Sequence, residues 1–384
     1  MSFPLHGLFR GIALLAIAST ISAVSLGRSA PKATQFRILS GSRFSSVSGY
    51  HFSNVEKTPR FLDVETGQFV NVKFKGGEVV DCAACSPWQD DLGTQLMVAR
   101  WNTNDLEKEA QGYGLSRFSF PTGEELDRYE LDVVPTSRPC FFPNSPGRII
   151  FTAGDGHLYK FQFPDKQGAS RKTGNEAFKQ PKALKWKAER PGEGDPFLSD
   201  PVWPADPKFK GYLIVSLAYL DPKPTIGRRV YQRAQLWWLK LNPQATEIVE
   251  AGRLLMPSSD EPGHGNTSEV RMPTIAAAPD GTPMVAYIHQ PGRGANYQMR
   301  LAPIRFEGTQ GHPTIHAEES RVVSESCLSS WPAFSGDGRY VFSMDKKEGP
   351  RRDATRYSVA EVMERTPSAR NVVLQEYARP LPIR

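Results

Sequence analysis

The stretch Trp331-Pro332-Ala333-Phe334-Ser335-Gly336-Asp337-Gly338, with Tyr340-Val341-Phe342-Ser343 following, decides the reading of this chain. A Pro opens it, small and aromatic residues follow, and an Asp-Gly pair leads into a β-rich run. Asp-Gly supplies the positive φ that a tight turn between two antiparallel strands requires. The pattern recurs upstream. Pro139–Gly147 leads into Ile149–Thr152, and Pro273–Gly281 leads into Met284–Tyr287. Looser copies run from Ala84 through Gly93 into Leu96–Ala99, and from Asp200 through Gly211 into Leu213–Ser216. The five turn glycines, at 93, 147, 211, 281 and 338, lie 54, 64, 70 and 57 residues apart.

A second alternating segment follows each hairpin: Arg117–Phe120, His157–Phe163, Gln235–Leu241, Gln298–Leu301 and Tyr357–Ala360. A sixth copy, Arg60–Gly67, precedes the first hairpin, so Leu39–Phe52 is expected to supply the strands missing there. One four-stranded sheet cannot bury both faces alone, so units of this kind must be several and must pack on one another. Four short strands per unit, repeated around an axis, predict an all-β β-propeller with four-stranded antiparallel blades, six blades being expected and seven the alternative. Residues 34–384 form that single domain in this reading, after a signal peptide at 1–25 and a linker at 26–33.

The motif Pro-x-Phe-Ser-x-Asp-Gly with a following Leu-Tyr-type strand, best carried by Trp331–Met344 and Pro139–Lys160, resembles the propeller repeat of the TolB-like (PD40) family. The resemblance covers residues 80–360 at the level of repeats and implies the fold. TolB carries an additional N-terminal α/β domain. Here about ten residues separate the expected signal from the first strands, so TolB's own role is not implied.

The 384 residues include 32 Gly and 32 Pro, too many breakers for a helical bundle, while 39% hydrophobic and 10% aromatic residues leave material for a core. Arg10, the apolar run Gly11–Leu26 and small residues at Ala23 and Ser25 give an export signal. Cleavage is expected after Ser25, with Gly27 as the alternative and a retained anchor disfavoured by the short apolar run. The net charge of +6 is mild, and neither a basic face nor a nucleic-acid motif accompanies it, so no nucleic-acid partner is expected. Cys82, Cys85, Cys140 and Cys327 are candidates for disulfides or for buried thiols. Cys82-Ala-Ala-Cys85 lacks both the following His of a haem attachment site and the second ligand pair of a zinc site.

Local chemistry is sparse. His312 and His316 flank Pro313, which argues against a helical metal pair and for a solvated loop, and His264 lies in a polar loop. No metal and no cofactor is expected. The chain contains no G-x-S-x-G elbow, P-loop or H-E-x-x-H. Thr103–Gln111 is expected to form a short helix. The residue before each repeat Pro is expected to start the innermost strand beside a mouth of the central channel. This places Arg138, Asp200, Met272 and Trp331 there, with Arg271 adjacent. Arg and Trp at a channel mouth suit an anionic or carbohydrate-like ligand. The sequence thus predicts an exported, non-catalytic binding or scaffold propeller for an envelope or extracellular protein or glycan. The alternative is a carbohydrate- or ester-hydrolysing enzyme, with Asp200 and either Asp195 or Glu193 as the first carboxylates to examine.

Overall fold

The computed structural model describes residues 44–49, 60–63, 69–71, 85–89, 95–102, 113–119, 125–131 and most of 133–163. It further describes 176–177 and, with isolated single-residue exceptions, 196–220, 231–255, 269–327, 332–346, 352–365, 371–375 and 378–381. The expected signal peptide and linker, the helix expected at Thr103–Gln111, and Cys82, Gly93, Glu193, Asp195, His264 and Trp331 lie outside the described residues.

Strands β1 (Phe44–Gly49), β2 (Arg60–Asp63) and β3 (Phe69–Asn71) pair in order. A complete antiparallel meander follows: β4 (Cys85–Gln89), β5 (Gln95–Asn102), β6 (Tyr113–Ser119) and β7 (Glu125–Glu130). The next comprises β8 (Cys140–Phe142), β9 (Ser145–Thr152), β10 (Leu158–Gln162) and β11 (Glu176–Ala177). Then come β12 (Pro196–Val202), β13 (Tyr212–Leu220), β14 (Tyr231–Leu241) and β15 (Ile248–Arg253). In the fifth group, β16 (Glu269–Ala277), β17 (Pro283–Gln290) and β18 (Tyr297–Pro303) are followed by an inserted hairpin, β19 (Arg305–Glu307) and β20 (His312–Thr314), before β21 (Arg321–Cys327). The sixth holds β22 (Ala333–Phe334), β23 (Tyr340–Lys346), β24 (Arg352–Ser358), helix α1 (Val359–Met363) and β25 (Asn371–Gln375). Finally β26 (Ala378–Leu381) returns to pair with β1, giving the order β26-β1-β2-β3.

Taken in chain order, the described strands form successive groups, of which the first three are separate four-stranded sheets. The next three (β12–β15; β16–β18 with β21; β22–β25) are joined by single bridges from β14 to β16 and from β21 to β23 into one twelve-stranded sheet, and β19 and β20 pair apart. The fourth strand of the first group comes from the far end of the chain, where the sequence had pointed to Leu39–Phe52 for all the missing strands. Among the described residues, that segment supplies β1.

The cores lie between groups. Leu115 and Tyr129 of the second group pack with Ile149, Phe151 and Phe161 of the third. Ile150 of the third turns the other way, onto Leu198, Leu213 and Val215 of the fourth. Ile214 and Trp238 of the fourth meet Ile275, Val285 and Tyr287 of the fifth. Met284, Ala286 and Ile288 point from the fifth to Phe334, Val341 and Tyr357 of the sixth. Alternation along a strand sends successive side chains to opposite faces. Because both faces are covered, the strands read as unbroken apolar runs such as Leu213-Ile214-Val215. Each such fully buried side chain contributes about 1.5–3 kcal/mol.

Three turns of the repeat behave as the sequence indicates: Gly211, Gly281 and Gly338 have φ of 83°, 81° and 69°. Gly147 does not. It lies inside β9, where its carbonyl accepts from Phe163 N at 2.7 Å. Val359 and Ala360 likewise leave the expected strand for α1, whose first turn is capped by the Ser358 hydroxyl accepting from Glu361 N.

Candidate functional site

Asp200-Pro201 and Met272-Pro273 do not start their strands. They sit within β12 and β16 at matching bulges. Between Ser199 and Val202, and again between Arg271 and Thr274, the register slips by one residue against the neighbouring strand. Proline carries no N–H for the ladder, so each repeat Pro falls where pairing is interrupted. The residue before it takes the left-handed conformation, with φ of 52° at Asp200 and 57° at Met272. Asp tolerates this region better than Met, and holding Met272 there costs about 1–2 kcal/mol. The bulge at Met272 is fastened from the preceding group: Met272 N donates to the buried Ser216 hydroxyl of β13 at 3.0 Å.

Arg138 and Asp200 are 3% and 5% exposed, so they belong to the interior and not to an open rim. Arg138 Nη2 donates to the Pro273 carbonyl at 3.5 Å, linking the approach to β8 with β16. Ser199 Oγ donates to the Asp200 carboxylate at 2.9 Å.

Arg271 is different. It is half-buried, lies 3.1 Å through Nε from Glu269, and donates through Nη2 to the Tyr297 hydroxyl at 3.0 Å. Its guanidinium lies 5.4 Å from the Tyr297 ring centroid, and the Lys346 ammonium lies 5.9 Å from the same centroid. Burial holds the Glu269 carboxyl above the usual carboxylate range, and the Arg271 charge opposes that shift. Glu269, Tyr297 and Lys346 come from the starts of β16 and β18 and the end of β23. No repeat signal marks these positions, so the sequence pointed only to Arg271.

Cys140 and Cys327 are both buried, and neither forms a disulfide in this structure. Burial, with the Asp345 charge adding to it, pushes the Cys327 thiol up to about 12. Asp345 is itself buried, accepting from Ser324 Oγ at 2.6 Å and from the Tyr357 hydroxyl. Cys140 Sγ accepts from Trp203 N at 3.0 Å. Among the described residues no group of three or more His, Cys, Asp or Glu side chains is placed to hold a metal ion.

Solved structures share this architecture. TolB from Acinetobacter baumannii is similar over 90% of this chain and 68% of its own, at 17% identity and a TM-score of 0.50. The chain is a β-propeller. Hydrazine synthase from Kuenenia stuttgartiensis also matches, at 10% identity and a TM-score of 0.50, over 88% of this propeller and 46% of that chain. The periplasmic gluconolactonase of Pseudomonas aeruginosa is similar at 10% identity over 88% and 99%, with a TM-score of 0.46. No family model and no curated protein matches the sequence. The TolB-like character expected from the Asp-Gly repeats is thus present in the fold. No helix among the described residues is long and apolar enough to cross a membrane.

Proposed function

We propose that the chain is an exported, six-bladed, non-catalytic binding or scaffold propeller that engages a protein or glycan through one face of the disc. The observation that carries this reading is the Arg271–Tyr297–Lys346 surface. It gathers two cations and a phenol from the fifth and sixth groups, and all three are only partly buried. Arg138 and Asp200, in contrast, are enclosed and serve the framework behind it. A guanidinium, an ammonium and a tyrosine hydroxyl together recognise carboxylate or sulfate groups on a glycan or an acidic protein surface.

The test is retention of partners from the envelope fraction by the mature protein, alongside a glycan array. Wild type is expected to hold a partner that an Arg271→Ser, Lys346→Ser double variant loses. Blank results in both assays, with turnover in a hydrolase screen, would replace this reading with the enzymatic one. One observation favours that second reading: burial pushes Glu269 toward its protonated form, as a general acid requires, against the opposing charge of Arg271. Turnover of nitrophenyl glycosides or esters that Glu269→Gln abolishes would identify it.

A further inference from the structure

The connection from β18 to β21 does not cross directly. It makes the β19–β20 hairpin and a single 3₁₀ turn, Ala317–Glu319, before rejoining the fifth group. This excursion leans on the fourth group. Phe306 meets Phe209 edge-on, with ring centroids 4.9 Å apart. Ile315 N donates to the Leu254 carbonyl at 2.9 Å. The His312 imidazole lies flat on the Trp238 indole, centroids 4.4 Å apart and planes inclined by 12°. Its Nδ1 is 3.1 Å from the Tyr212 hydroxyl, and its Nε2 is 3.1 Å from a Glu250 carboxylate oxygen. The solvated loop expected for His312 is thus a packed contact between neighbouring groups.

The second histidine stands at the base of the same excursion. His316 Nε2 is 2.7 Å from Glu307, and its Nδ1 is 3.5 Å from Glu318. We propose that the β19–β20 hairpin is an acid-tightened clasp across the seam between the fourth and fifth blades, worked by His312 and His316.

The charges around both rings favour this. β15 presents Glu250, and β14 presents Lys240, which is 3.8 Å from Glu250 and already engaged with it. The hairpin presents Glu307, directly across the ladder from His312, and Arg305, which pairs with Glu319. The 3₁₀ turn adds Glu318 and Glu319, and Arg321 of β21 also acts on Glu319. Tyr212 is the titratable group from β13. Lys240 and Arg305 are thus engaged with Glu250 and Glu319, while Glu307 is met by the His316 ring. An imidazolium donates from both ring nitrogens, whereas the neutral ring donates from one. A cation over the indole face gains a further attraction.

For His316 the direction is explicit. Its bond to Glu307, reinforced by the charges of Glu307, Glu318 and Glu319, raises its pKa above the usual value. A group raised in the folded state contributes fully below the unfolded value, ~6.5, and loses that contribution as pH rises through the folded value.

The experiment is hydrogen exchange of the full chain at pH 5.5 and pH 8.0, read as protection factors for peptides spanning residues 304–316. Protection is expected to be higher at pH 5.5, by about tenfold for each unit by which His316 in the clasp exceeds its free value. A His312→Gln, His316→Gln double variant is expected to lose that difference. Glu250→Gln keeps the ring stack and is expected to shrink the difference while leaving protection at pH 8.0 close to wild type. Equal or greater wild-type protection at pH 8.0 would overturn the clasp, as would a pH difference that survives in the double variant.

Discussion

Gly281 and Gly338 hold the same place in the repeat, yet their surroundings differ. A Cβ on Gly281 would meet nothing within 4 Å, while one on Gly338 would run into the Ala277 carbonyl of the preceding blade. Gly281→Ala therefore bears only the left-handed backbone cost, about 1–2 kcal/mol. Gly338→Ala must also displace a neighbouring strand end, and is expected to cost more than about 4 kcal/mol. Urea midpoints of the two variants check the ordering. The thiols give a second residue-scale prediction. Cys140 and Cys327 should resist an alkylating reagent at pH 8 in the folded protein and react once urea unfolds it, because both are buried and the Cys327 thiolate is disfavoured up to about 12. The Asp-Gly turns were legible because few residues accept positive φ. Met272 was not, because its left-handed backbone runs against its own preference and is imposed by the bulge at Pro273 and by Ser216.

Adjacent residues of one strand serve different interfaces. Leu213 faces the third blade and Ile214 the fifth, and neither is exposed. Leu213→Ala and Ile214→Ala should therefore each cost about 2–5 kcal/mol. The two side chains belong to separate core clusters, so the double variant should lose more than either single one. Equilibrium denaturation of the three variants tests this; a sheet with one solvated face would tolerate one of the changes. Strands β9, β13, β17 and β23 could be read from the sequence because their apolar runs follow a punctuating turn. The β19–β20 hairpin could not, since Pro313 and the polar residues around it resemble a loop until Trp238 and Phe209 are placed beneath them. The Arg271 cluster was only partly legible for a similar reason. Tyr297 and Lys346 lie 26 and 75 residues from Arg271, and only the packing of neighbouring blades unites them.

At the scale of the molecule, the pairing of β26 with β1 joins residues from opposite ends of the described chain. Ser46 stands across from Leu381, and Gly49 across from Ala378. Deleting residues 376–384 removes that strand and leaves an edge of β1 unpaired. The truncated chain is expected to melt at least about 5 °C lower, with faster hydrogen exchange throughout β1–β3, as calorimetry and exchange can show. The recurrence of the strand unit was visible from the spacing of glycines. This junction was not, because β26 is too short and too charged at Arg379 to announce itself as the partner of a strand more than 300 residues away.

The same junction sets a clock on the molecule. Residues 378–381 follow β1 by more than 300 residues, so β1 must wait for its partner while all the strands between them are synthesised. Neighbouring blades can begin to pack as soon as each pair exists. The β1 edge itself stays open until β26 arrives, and assembly order is thereby tied to the direction of translation.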